Sequence, residues 1–94
     1  MEIEMRFFAT FREAVGEKIQ TRRFEDEETV GDVLATLESE YEGLEGQLLE
    51  DGGDAIRQQL SVLKNGRDVV HMAGPETPLE SGDRLSVFPP VAGG

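Results

Sequence analysis

The sequence predicts an α+β fold: a mixed β-sheet with one main helix packed on one face. Two alternating segments and one helical segment carry this reading. Residues 2–9 alternate, with Ile3, Met5 and Phe7 on one face and Glu2, Glu4, Arg6 and Phe8 on the other, as in a strand with one buried side. Arg84 to Phe88 alternates again, with Leu85 and Val87 inward and Arg84, Ser86 and Phe88 outward. Between them, Val30, Val33, Leu34, Leu37, Tyr41 and Leu44 recur at i, i+3, i+4 and i+7, the apolar stripe of an amphipathic helix. A sheet and a helix that are each apolar on one side bury those sides against one another.

The remaining elements follow in order. Thr10 to Gly16 is expected to be a turn, with Gly16 allowing the reversal. Residues 18–24 are expected to return as a second strand, with Ile19 its clearest inward residue, closing an N-terminal hairpin. Asp26-Glu27-Glu28 is a polar connection. Thr29 reads as a helix N-cap, and Asp32 three positions later completes a variant capping box. Glu28 and Asp32 also suit the positive end of the helix dipole. Gly43 is expected to close the helix, Leu44, Leu48 and Leu49 allow a short second helix near 44–50, and Asp51 to Ala55 is a loop. Leu60 to Lys64 reads as a strand and Asn65-Gly66 as a hairpin turn, since both residues tolerate positive φ. Val69 to Met72 is the expected returning strand, Gly74 to Pro78 a loop, and Glu80-Ser81-Gly82-Asp83 the turn into the last strand. The order ββαββ plus a final strand is a β-grasp arrangement. Its first and last strands lie side by side and parallel in the middle of the sheet. Residues 1–89 are expected to form the domain and residues 90–94 a flexible tail.

Composition narrows the function. Ninety-four residues make one small domain with a modest core. No apolar run is long enough to span a bilayer, and Met1-Glu2-Ile3-Glu4 opens no secretory signal, so a cytoplasmic protein with no membrane contact is expected. The absence of cysteine excludes a disulfide scaffold, a thiolate zinc site and a cysteine nucleophile. Twenty acidic residues against nine basic ones give a formal charge of −11, the wrong sign for binding a phosphate backbone, so no nucleic-acid partner is expected. The field either steers the chain toward basic surfaces or adapts it to high salt. The scarcity of lysine, limited to Lys18 and Lys64, favours salt adaptation. The acids are scattered and form no calcium-loop pattern, so no metal site is expected.

The chain supplies no catalytic constellation. His71 stands alone in an expected strand, and Ser61, Ser81 and Ser86 have no base and orienting acid at motif spacing. Gly52-Gly53 lacks the Lys-Ser/Thr of a phosphate loop.

Two features remain unused by the core. Phe8 and Phe88 end the first and last strands on the outward face. If those strands are parallel neighbours, the rings share one end of the sheet, and a grouped apolar patch there marks a contact surface. Val69 or Val70 is expected to extend it. From the same end runs Pro89-Pro90-Val91-Ala92-Gly93-Gly94, where Pro-Pro favours an extended chain outside the sheet ladder. The five residues from Pro90 to Gly94 reach roughly 16 Å, at about 3.3 Å each. Two terminal glycines, without side chains, suit threading through a narrow channel. The bland alternative is a frayed, glycine-rich end.

The terminal Phe88-Pro89-Pro90-Val91-Ala92-Gly93-Gly94 resembles that of the MoaD/ThiS sulfur-carrier family, particularly the small subunit of molybdopterin synthase. Arg6-Phe7-Phe8-Ala9-Thr10-Phe11-Arg12-Glu13 with Gly16 is similar to that family's first strand and turn. Thr29-Val30 with Leu34, Asn65-Gly66 and Ser81-Gly82-Asp83 fall where the family has its helix start, hairpin and last turn. The resemblance implies a ubiquitin-like β-grasp fold and a non-catalytic carrier. It implies that an adenylating enzyme similar to ubiquitin-activating enzymes, consuming ATP, activates the Gly94 carboxylate, and that no cofactor is bound. Sulfur transfer would then give a thiocarboxylate for molybdopterin (molybdenum cofactor) biosynthesis in complex with the synthase large subunit. Attack by a target-protein lysine would instead give an isopeptide conjugate, since the same archetype includes prokaryotic ubiquitin-like modifiers. Gly93, Ala92 and Val91 would thread the partner's active site, and Phe8, Phe88, Pro89 and Pro90 would form the interface. With Gly94 as the last residue, no tail-trimming peptidase is expected. A third reading is a non-covalent binding module whose tail is incidental.

Overall fold

The first strand forms where the alternation predicts it. In the computed structural model, which describes residues 1–90, β1 (Glu2–Phe7) buries Ile3, Met5 and Phe7 completely. The other strands are β2 (Ile19–Arg23), β3 (Ser61–Lys64), β4 (Arg67–Asp68) and β5 (Arg84–Phe88), in the sheet order β2-β1-β5-β3-β4. The first and last strands are parallel neighbours at the centre, Met5 beside Leu85 and Phe7 beside Val87. The main helix, α2 (Val30–Glu40), buries Val30, Val33, Leu34 and Leu37 against this centre. Thr29 and Asp32 form the expected reciprocal capping box, with the Thr29 backbone N–H donating to Asp32 Oδ2 at 2.9 Å and the Asp32 N–H to Thr29 Oγ1 at 3.3 Å. Val91, Ala92, Gly93 and Gly94 lie outside the described residues.

The structure corrects five sequence expectations. The expected turn from Thr10 to Gly16 is a short helix, α1 (Ala9–Val15), and Gly16 is its C-cap at φ 90°. Phe11, Ala14 and Val15 form its inward stripe, Phe11 being buried. Ile19 is not inward; it is 47% exposed, and Gln20 and Arg22 take the helix-facing side. The register explains this, since Ile3 and Met5 stand opposite Arg22 and Gln20. At this sheet edge polar groups suffice, because Gln20 Nε2 donates to the Tyr41 hydroxyl at 3.0 Å and Arg22 donates to Glu40 at 2.8 Å.

Gly43 does not end α2 with a left-handed turn; the extended residue Tyr41 is the C-cap, and Gly43 sits in a 3₁₀ turn at Glu42–Leu44, which replaces the helix expected near 44–50. Glycine is required there by contact. A Cβ on Gly43 would stand 2.7 Å from the Ala14 Cβ. Gly43→Ala is therefore expected to lower stability by about 1–3 kcal/mol, as overpacking does, measured by denaturant unfolding. Finally, the strand expected at Val69 to Met72 is a 3₁₀ turn at Val69–His71, and the strand that returns from the hairpin against β3 is the two-residue β4. The turn forms because the Asp68 carboxylate accepts the Val70 N–H at 3.0 Å, competing with a continued ladder.

The last strand is pinned by a polar staple. Asn65 and Gly66 make the hairpin turn with φ of 51° and 88°. The Asn65 side chain accepts from the Arg84 N–H at 2.8 Å and donates to Asp83 at 2.9 Å. Burial raises the Asp83 carboxyl, but the Glu80 backbone N–H, the Asn65 amide and the Lys64 ammonium outweigh it and hold it below the usual aspartate value. A depressed folded value stabilises above the unfolded value and loses that contribution as pH falls. Stability is thus expected to decline below about pH 4, and Asp83→Asn, which costs about 1–3 kcal/mol at neutral pH through its lost charged hydrogen bonds, to flatten that acid limb in thermal unfolding.

Candidate functional site

The outward aromatics meet as the parity of the strands requires. Phe8 directly follows β1 and is the N-cap of α1, while Phe88 ends β5. Because Phe7 is in register with Val87, the two rings lie side by side. They stack with centroids 4.1 Å apart and planes 9° from parallel. Such a pair contributes about 0.5–1.5 kcal/mol beyond its buried area. Both rings remain half-buried. The Lys18 ammonium stands 5.9 Å from the Phe8 centroid.

Around the stack lies a largely apolar groove of about 650 Å³, walled by Phe8, Ala9, Leu63, Phe88, Pro89 and Pro90. Pro89 and Pro90 have no N–H to donate, which suits an end to the sheet ladder at Phe88. The structure thus brings together Phe8, Phe88, Pro89 and Pro90. The tail residues Val91, Ala92, Gly93 and Gly94 fall outside the described region. Leu63 went unnoticed in the sequence, although parity could have found it. Val62 is buried, and Leu63 pairs with Ser86 on the outward face. Of the two valines expected to extend the patch, Val69 is buried and Val70 is exposed; neither lines this groove.

Among the described residues the groove carries no acidic, basic or histidine side chain. Its side chains are aromatic, aliphatic or neutral polar. His71 is exposed on the 3₁₀ turn after β4. Among the described residues no three His, Cys, Asp or Glu side chains converge as metal ligands would, and no helix is long and apolar enough to cross a membrane.

A mixed sheet with parallel central strands, crossed by one main helix and carrying an apolar groove where the last strand ends, defines a ubiquitin-like β-grasp protein. The chain belongs to the ThiS family, which matches residues 5–94. Small archaeal modifier protein 3 of Haloferax volcanii is 60% identical over 94 residues, covering 100% of both chains. The solution structure of the Haloferax volcanii HVO 2177 protein superposes with a TM-score of 0.91 at 60% identity, covering 100% of this chain and 87% of that one. Sulfur carrier protein CysO of Mycobacterium tuberculosis is 29% identical over 68 residues, 71% of this chain and 73% of CysO. This chain is accordingly a ubiquitin-like protein of the sulfur-carrier and small-modifier kind.

Proposed function

We propose that the chain is an acyl carrier of sulfur whose reactive group is the Gly94 carboxylate, with the bond-making performed by partner proteins. The observation that carries this reading is the stacked Phe8–Phe88 pair at the end of β5, with Pro89-Pro90 leading from it toward Gly93-Gly94. An apolar groove at the root of a narrow acyl end is what a partner needs to grip the domain while it works on the terminus.

A carboxylate resists nucleophiles because it is anionic and a poor leaving group. In this proposal an adenylating enzyme lets the Gly94 carboxylate attack the α-phosphorus of ATP, and pyrophosphate leaves. A sulfide sulfur then displaces AMP and gives a thiocarboxylate; a partner's persulfide would instead give an acyl disulfide, which a partner thiol cleaves to the same thiocarboxylate while forming a disulfide. Docked on the large subunit of molybdopterin synthase, the thiocarboxylate sulfur attacks the molybdopterin precursor to form a thioester, and water hydrolyses it, leaving the sulfur on the precursor and restoring the carboxylate. The chain binds no cofactor of its own in this cycle, which would run in the cytoplasm. Phe8, Phe88, Pro89 and Pro90 grip the partner, while Val91, Ala92 and Gly93 pass through its channel. The acidic surface, with two lysines, fits a high-salt proteome such as that of the Haloferax relatives.

Kinship with small archaeal modifier protein 3 favours a second use of the same activated end. A lysine amine of a target protein displaces AMP and gives an isopeptide. Purified chain, ATP and the adenylating enzyme of its host are expected to show ATP–pyrophosphate exchange, and the activated end to pass to sulfide. Gly-Gly remnants on host lysines would identify conjugation. Absence of exchange would refute both uses.

A further inference from the structure

The groove at Phe8 and Phe88 has a neighbour. A second cleft of about 440 Å³ opens between residues 55–61 and 68–75, walled by Ile56, Leu60, Asp68, Val69, Val70 and Pro75. Gln59 and Ser61 line both depressions. Ser61 is also the residue paired with Phe88 between β3 and β5. The two depressions therefore form one continuous surface at the end of the sheet where β5 stops.

Val70 gives this cleft an exposed apolar wall beside Arg57 and Asp68, on a chain of charge −11. The exposed large hydrophobic residues among those described are Ile19, Val70 and Met72; Val70, 70% exposed, lines this cleft, and Met72, 38% exposed, follows two positions on as the cap of the same turn. Val70 is held outward by the local backbone. Its N–H donates to the Asp68 side chain at 3.0 Å, the Met72 N–H closes the turn on the Val69 carbonyl at 2.9 Å, and Val69 beside it is buried. An apolar side chain fixed in water by a capped turn is the character of a contact residue. The cleft also has a preferred charge. Asp68 makes no ion pair among the described residues, while Arg57 on the opposite wall is already engaged by the Gly46 carbonyl at 2.7 Å and by Glu50 at 3.7 Å.

We infer that the adenylating partner that receives the tail holds the domain by a second anchor here, an apolar side chain seated against Val70 with a basic group beside Asp68. This rests on the carrier reading above. The occupant follows from continuity with the groove and from charge, because a second copy of this acidic chain would bring the wrong sign to Asp68. One anchor beside Pro89 and Pro90 leaves the domain free to pivot about it. A second, off to the side across Ser61, fixes its orientation.

The test is ATP–pyrophosphate exchange with the host adenylating enzyme, titrating wild type, Val70→Glu, Val70→Ser, Phe88→Arg and Ala35→Glu. Ala35 is an exposed residue of α2, so its variant controls for added negative charge. Val70→Glu is expected to raise the KM for the carrier about tenfold with kcat unchanged, Val70→Ser to raise it less, and Ala35→Glu to leave it alone. Amide hydrogen exchange on the complex is expected to show new protection at residues 56–60 and 69–73. If Phe88→Arg impairs exchange while Val70→Glu behaves like Ala35→Glu and those amides stay unprotected, the second anchor is wrong and the carrier reading stands. If wild type itself supports no exchange, both fail. If the free chain sediments as a dimer that Val70→Glu dissociates, the cleft belongs to self-association and the inference is overturned.

Discussion

Deleting Gly93 and Gly94 is expected to abolish activation by the adenylating enzyme, with no measurable ATP–pyrophosphate exchange, while unfolding free energy stays within about 0.5 kcal/mol of wild type. The asymmetry follows from the division of labour proposed here. The core residues Ile3, Met5, Phe7, Leu34, Leu37, Leu85 and Val87 all lie within the first 90 residues, so the truncation removes none of the burial that holds the fold. What it removes is the glycine carboxylate that the partner activates, leaving a carboxylate on Ala92 two residues short of that position. A non-covalent binding module with an incidental end would instead keep its partner affinity and its role in the host after the same truncation. Gly94→Ala is a gentler version: the carboxylate remains, but a Cβ widens the chain where it threads, so charging is expected to fall rather than vanish.

Phe88→Arg carries the second large effect. It puts a cation in place of the ring that stacks on Phe8 at 4.1 Å and forms part of the groove wall. Partner docking is expected to weaken by about 2 kcal/mol or more, as for an interface anchor, which reads as a rise of about thirtyfold in the KM for the carrier. The fold is expected to persist, because Phe88 is only half-buried and the stack it loses contributes about 0.5–1.5 kcal/mol. The matching substitution one layer deeper behaves differently. Val87→Arg would put an unpaired charge among Phe7 and Val62, both within the core, and is expected to unfold the domain. Circular dichroism and the exchange assay together separate the two cases.

Much of this was legible in the sequence because the informative signals are local. The alternation of Ile3, Met5 and Phe7, the box at Thr29 and Asp32, and Asn65-Gly66 each specify their own neighbourhood. Parity alone put Phe8 and Phe88 on the outward face, and the β-grasp order then brought them to one end. Two of the misreadings share one cause: a distant partner decided the outcome. Ile19 looked inward until the register with β1 set Gln20 and Arg22 toward the helix, where Tyr41 and Glu40 receive them. Gly43 looked like a helix stop, but its constraint is Ala14 of α1, 29 positions earlier. The stripe of Phe11, Ala14 and Val15 has helical spacing, yet seven residues ending in a glycine read equally well as a turn. Val69 to His71 had the composition of a strand, and one carboxylate at Asp68 turned it into a 3₁₀ turn. Leu63 was readable from parity with Val62 but sat in a strand whose outer face drew no attention.

The central claim, that Gly94 is a cargo site on a passive scaffold, is tested most directly by intact-mass analysis of the chain isolated from its host. A fraction of molecules ending at Gly94 and heavier by the difference between sulfur and oxygen, with the excess mass localised to the terminal peptide and released by hydrolysis, is the expected result. A chain that carries only the plain carboxylate under every condition of molybdenum-cofactor demand, and leaves no Gly-Gly remnant on any host lysine, would contradict it.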